Sequence, residues 1–187
     1  TSGKMKSVGI DLAGKKENPT GFAVLEDETI STRVLHSEDE IVDACVNHDP
    51  DAVAIDAPLR FPGDWLREAD SGLIERGYRV LPPKMGGMEY LTERGVSLSK
   101  RLRAEEVEVI EIHPLTSGKI LFESGDREDW IDELSDSGYS FDEDLNEHEI
   151  DASIAAVTGL LYLKGETEEV GEEGETIVIP LAGSGIP

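Results

Sequence analysis

Apolar residues recur along this chain in two rhythms. Short β-branched runs end at a carboxylate, a glycine or a proline, and longer stretches place an apolar residue every third or fourth position. The first run is Ser7-Val8-Gly9-Ile10-Asp11-Leu12-Ala13-Gly14, which reads as a buried strand delivering an aspartate at its end. Phe22 to Leu25 and Ile30 to Leu35 read as two further strands joined by the acidic turn at Asp27-Glu28, so the three form an antiparallel meander. Ser37 has the position of a helix N-cap, with Glu40 completing a capping box. Ile41, Ala44 and Cys45 then mark an apolar helical face that stops before Pro50. The next strand, Ala52 to Asp56, again ends in an aspartate and is stopped by Pro58; reaching it through a helix implies a parallel crossover.

The rhythm is lost between residues 58 and 103, where proline and glycine punctuate the chain. The pattern predicts helices from Trp65 to Arg76, stopped by Gly77, and from Tyr90 to Arg103, interrupted at Gly95. A long irregular insertion of this kind is more often a binding element than idle chain. Val107 to Ile112 reads as a strand ended by His113-Pro114, and Leu115 to Glu123 as a short helix. Residues 124–147 form an acidic connection with one helical turn near Trp130 to Leu134. The strongest helical stripe is Ile150, Ile154, Val157, Leu160 and Leu161. Glu166 to Glu175 is expected to be a solvated hairpin or loop. Thr176 to Pro180 is a last strand whose proline favours an edge or a strand end.

Length and composition fit one domain spanning residues 1–187 with a sizeable core. No apolar run approaches the roughly 20 residues of a membrane span, and no charged stretch leads into a short apolar segment as in a secretory signal. The expected location is the cytoplasm. The single cysteine, Cys45, excludes an internal disulfide and a cysteine zinc site, and its apolar surroundings suit a buried, inert thiol. The formal net charge of −24 argues at first sight against nucleic acid, whose binding depends on Lys and Arg displacing counterions. A salty cytoplasm, which screens self-repulsion, is another setting for such a surface. The charge is unevenly spread, however. Residues 60–103 carry 9 of the 17 basic residues against 6 acidic ones, which makes them the landing place for a polyanion.

Three aspartates stand out: Asp11 and Asp56 at strand ends, and Asp151 at the start of a small-residue helix. A carboxylate at the end of a buried strand is costly to ionise without a partner. Either the three converge on one cation-holding site or each is a separate capping or turn residue. Glu111 near the end of its strand is a fourth acid, either a ligand or base at the same site or an outward-facing strand residue. His148 lies one helical turn before Asp151, placed to face the same site or simply to sit on the surface. Arg60, Arg67, Lys84 and Arg94 are candidates to position phosphates. Asp70 could pair with Arg67 at i,i+3, and Lys100, Arg101 and Arg103 could form a solvated helix face.

A meander followed by crossovers is the strand order of an RNase H-like sheet, a five-stranded mixed sheet with helices on both faces. The motifs Gly9-Ile10-Asp11, Thr20-Gly21-Phe22-Ala23-Val24, Ile55-Asp56-Ala57-Pro58, Arg67 with Asp70, and Gly77 extend that likeness. So do Pro82-Pro83, Met88 with Leu91 and Arg94-Gly95, Glu111-Ile112-His113-Pro114, and Asp151-Ala152 through Gly159. Together, over nearly the whole chain, they resemble the predicted RNase H-like nucleases called domain of unknown function 429. Asp11, Asp56 and His148-x-x-Asp151 are also similar to the active-site layout of Holliday-junction resolvases. These resemblances imply a nuclease in which Asp11, Asp56 and Asp151 bind Mg²⁺ or Mn²⁺, with Glu111 and His148 as further catalytic groups and nucleic acid or another phosphoester as substrate. Two Mg²⁺ ions about 4 Å apart would activate water and stabilise the leaving oxygen. Two alternatives remain at this level. Gly9-Ile10-Asp11 with Gly14 and Thr20-Gly21 is also similar to the phosphate hairpin of actin-like ATPases, although those carry two copies of the domain; and the chain could be a non-catalytic binding module.

Overall fold

A computed structural model describes residues 4–142 and 144–187. The meander forms as expected: β1 (Ser7–Asp11), β2 (Thr20–Glu26) and β3 (Thr29–Leu35) pair antiparallel in sequence. Helix α1 (Glu38–His48) starts at Ser37, whose hydroxyl accepts from the Glu40 amide at 3.1 Å, and leads to β4 (Ala52–Asp56), parallel to β1. The insertion holds α2 (Glu68–Glu75) and α3 (Met88–Ala104), followed by β5 (Val109–Glu111) and α4 (Pro114–Phe122). Helix α5 (Arg127–Asp136) and β6 (Ser140–Phe141) lie in the acidic connection, then come α6 (Glu147–Leu163), β7 (Thr167–Glu172) and β8 (Glu175–Pro180).

The sheet has eight strands in the order β6-β3-β2-β1-β4-β5-β8-β7, three more than the five expected from sequence. Two of the additions, β6 and β7, are strands that hydrophobic patterning cannot reveal, whereas β8 is the last strand that the pattern predicts. Strand β6 is two residues long, β7 buries only Val170 among otherwise polar positions, and β8 joins β5 through a single residue pair, Glu111 with Ile177. Pro180 ends β8 opposite Thr167, a position where its missing N–H costs the ladder nothing.

Two further expectations change with packing. Helix α5 runs for ten residues rather than one turn, because Asp126 caps it and Trp130 and Leu134 bury completely. Helix α3 passes through Gly95 unbroken. Its buried stripe of Val96, Leu98 and Leu102 outweighs the roughly 1 kcal/mol that a helical glycine costs.

Hydrophobic residues fill both faces of the sheet. Val8, Ile10, Phe22 and Ile55 pack with Ile41, Leu98 and Leu102 of α1 and α3 on one side. On the other, Ala23, Leu25 and Ile30 meet Trp130 of α5 and Ala152, Ile154 and Val157 of α6. Among the described residues, no helix is long and apolar enough to cross a membrane.

The α6 contact is unusually close, and glycine makes it so. A Cβ built on Gly9 of β1 would run into the Ala152 carbonyl oxygen and the Ala156 amide of α6, and one on Gly21 of β2 into the His148 carbonyl. The helix backbone therefore lies directly on β1 and β2, and its first two turns end up beside Asp11. Gly9→Ala should force the two apart, lowering the urea-unfolding free energy by about 1–3 kcal/mol, the usual cost of overpacking. An unchanged denaturation midpoint would contradict this account of the contact.

Candidate active site

Strands β1 and β4 are parallel and in register, with Asp11 directly opposite Asp56 at their carboxyl ends. Both carboxyls are largely withdrawn from water; the Asp11 side chain is 16% exposed. Burial pushes Asp56 well above the ordinary carboxylate range, and the neighbouring charges of Asp11 and Asp151 push it further. Burial and Asp151 also raise Asp11, while hydrogen bonds from His148 and Asp56 work to lower it. Burial and crowding thus make the ionised form of both carboxyls costly.

Helix α6 brings the remaining groups. Asn146 caps it, accepting from the Glu149 amide at 2.9 Å, and Glu149 returns the bond to the Asn146 amide at 3.2 Å. The other oxygen of Glu149 accepts from the Thr32 hydroxyl at 2.6 Å, which fixes this end of the helix to β3. The helix thus begins three residues earlier than its apolar stripe suggests, because capping rather than hydrophobic periodicity sets its start. His148 and Asp151, at i and i+3, consequently share a face within its first two turns. The Nδ1 atom of His148 lies 3.1 Å from Asp11 Oδ2, on a ring that is 47% exposed.

Asp151 is held by a group not expected at the site. Arg127 of α5 donates from Nε to Oδ1 at 2.7 Å and from Nη2 to Oδ2 at 2.9 Å, and its Nη1 lies 3.2 Å from Glu147. Arg127 escaped the sequence reading because it is an isolated cation in an acidic stretch. The one signal it gives is a position just after Asp126, a capping residue.

Glu111 reaches the same end of the sheet but faces elsewhere. It accepts from Arg67 Nη1 and Nη2, each at 2.7 Å, and from the Leu59 amide at 3.0 Å. Burial raises its pKa, and Arg67 opposes that shift. Arg67 also grips Asp70 at 2.8 and 3.0 Å, the i,i+3 pair anticipated above. Burial alone would favour losing the Arg67 proton, but the two carboxylates outweigh it and keep the guanidinium charged. This buried triad ties α2 to β5.

Of the other basic candidates, Arg94 donates to the Ala13 carbonyl at 2.5 Å and the His36 carbonyl at 2.9 Å, which holds the loop after Asp11. Arg60 and Lys84 are exposed and make single bonds to the carbonyls of Gly174 and Gly63. Arg101 forms surface pairs with Glu38 and Asp39. Cys45 is buried, and burial pushes its thiol up to about 12.

Among the described residues, no three acid, imidazole or thiol side chains are gathered into a ready-made metal cage. The donor set nonetheless suits a hard divalent cation. Two largely buried carboxyls stand side by side, and a third is turned onto Arg127.

No family model matches this sequence, and no curated protein does. Among solved structures, the chain is similar to one described as T. thermophilus RuvC in complex with Holliday junction substrate. The TM-score is 0.57 at 14% identity, over 95% of this chain and 99% of that one. A second, described as the Thermus thermophilus RuvC structure, gives a TM-score of 0.51 at 16% identity, over 95% and 100%. The chain thus has the RNase H-like fold.

An acid whose pKa is raised by folding contributes stability that is full below its unfolded value, about 3.9 for Asp, and lost as pH rises through the folded value. Asp56→Asn should remove that loss. Its Tm should exceed that of the unsubstituted protein by about 2–4 °C at pH 7.5, the response of a chain this long to roughly 1 kcal/mol, with the gap closing toward pH 4. A variant no more stable at pH 7.5 would contradict the upward shift of Asp56.

Proposed function

We propose that the protein is a metal-dependent nuclease, hydrolysing phosphodiester bonds of nucleic acid at the cluster of Asp11, Asp56 and Asp151, with Mg²⁺ or Mn²⁺ as its cofactor. The observation that carries this reading is the register of Asp11 against Asp56, which sets two largely buried carboxyls side by side at the strand ends. A divalent cation would offset the negative charge crowded there. Asp11, Asp56 and Asp151 would hold it through carboxylate oxygens, where it would offset phosphate charge and lower the pKa of water.

The chain's own groups fill the other roles. His148 has Nδ1 fixed by Asp11, leaving Nε2 on a half-exposed ring to take up a proton from attacking water. Arg127 presents a planar fork beside the same acids, suited to a phosphate once Asp151 turns to the cation. Exposed Arg60 and Lys84 are left to meet the backbone of the substrate, whereas Arg67 and Arg94 are engaged internally. Glu111 supports the site by holding Arg67 and the Leu59 amide.

The shared fold supports the reading, since one of the similar structures is described as bound to a Holliday junction substrate. The motif resemblance to domain of unknown function 429 points the same way, and we place the chain there on those motifs. We take residues 1–187 to act as one unit.

The test is cleavage of single-stranded, duplex and four-way-junction DNA and of single-stranded RNA with Mn²⁺. Asp11→Asn should lower the rate roughly a thousandfold, the several kcal/mol such a site supplies. Mn²⁺ should raise the Tm of the unsubstituted protein and not of the variant. Cleavage that survives Asp11→Asn would place the chemistry elsewhere. His148→Ala should slow the reaction by about 10²–10⁴.

A further inference from the structure

Beside Asp56 the carboxyl end of the sheet opens into a cavity of about 220 Å³. Its walls are apolar and come from two sources. Val80, Leu81, Met88 and Leu91 belong to the insertion, while Ile112 and Ile177 belong to the sheet. Two polar groups of the lining, Asp56 and His113, stand outside the Arg67 triad. The His113 ring uses Nδ1 on the Thr116 hydroxyl at 2.6 Å, and among the described residues its Nε2 has no partner. Arg67, Asp70 and Glu111 also reach the cavity, but they satisfy one another.

The segment that supplies the walls from the insertion is unusual for so acidic a chain. Six of the nine large hydrophobic side chains left exposed among the described residues lie between positions 60 and 103, where the basic residues are also concentrated. Phe61, Trp65 and Tyr90 are 63%, 54% and 55% exposed, and the Lys15 ammonium stands 5.3 Å from the Tyr90 ring centre. Scattered exposed apolar groups need no explanation, but a cluster does. Aromatic rings interleaved with cations are the means by which proteins hold unpaired bases.

We propose that the cavity receives one unpaired nucleobase of the substrate strand, so that the protein acts on single-stranded or locally unpaired nucleic acid; this rests on the nuclease reading above. The volume admits one ring system, falling below the roughly 300–1,000 Å³ of pockets that enclose a whole drug-sized ligand. Apolar walls receive the two faces of a base, and His113 Nε2 meets its hydrogen-bonding edge. The neighbouring acid cluster lies where the phosphate attached to that nucleotide would stand. A base inside an intact duplex is stacked and paired, and would have to be flipped out before entering.

The test measures fluorescence anisotropy of a fluorescein-labelled oligothymidylate in Ca²⁺, a hard cation that carboxylates also hold. A second probe has the same backbone with every base removed, and a third is the duplex. The intact single strand should bind about tenfold more tightly than the abasic strand and the duplex. Met88→Trp, which fills the cavity, should bring the intact strand down to the abasic level and leave abasic binding unchanged. Leu81→Ala, at a position 55% exposed and so safe for folding, should weaken only the intact strand. Equal affinity for intact and abasic strands, or equal loss of both in Met88→Trp, overturns the base pocket and leaves the nuclease reading standing. If no probe binds at all, the nuclease reading falls and the pocket with it.

Discussion

The contact on which the rest depends is backbone against backbone, where α6 lies across β1 and β2. Ordinary side chains at positions 9 and 21 would hold the helix away from the sheet, and the first turns of α6 would then miss the strand ends. With glycine there, the helix start is fixed in three ways. Gly9 and Gly21 set its height, the Asn146–Glu149 box sets its first residue, and the Thr32–Glu149 bond sets its position along the sheet. His148 reaches Asp11 as a consequence of that arrangement, and Asp151 follows one turn later on the same helix face.

Electrostatics at this end of the molecule divides into two arrangements a few residues apart. The Arg67–Glu111–Asp70 triad is internally balanced: one cation, two anions and an amide donor leave every buried group satisfied. The Asp11–Asp56–Asp151 cluster is not balanced in that way. It has two crowded, largely buried carboxyls, a half-exposed imidazole and a borrowed guanidinium. Buried carboxyls forced together cost stability, and proteins keep such clusters where a ligand supplies the missing charge. The contrast separates acids whose charge is balanced within the fold from acids whose charge is not.

Some of this could be read directly from residues. Val8 and Ile10 before Asp11, and Val53 and Ile55 before Asp56, mark two buried strands that each end in an acid. The crossover between them makes those strands parallel, so the acids stand at the same end of the sheet. The Ser37 box and the Ile150–Leu161 stripe located two helices. Strands β6 and β7 were not legible, because two residues carry no period and an acidic strand with one buried valine shows no alternation. Arg67 and Glu111 read as loose candidates because nothing local indicates that a guanidinium 44 positions away will meet that glutamate.

The sequence by itself determined the elements that rest on near neighbours: strand and helix periodicity, caps, proline stops, and the local excess of basic residues in an acidic chain. Those follow from the backbone geometry and charge of adjacent residues. Only the tertiary structure decided which acid answers to which cation, that Arg127 rather than Arg67 stands beside Asp151, and that the insertion closes an apolar cavity over the end of the sheet. Partnerships between distant segments depend on how closely backbones can approach and on which buried charges must be neutralised, and both are fixed only once the chain has packed.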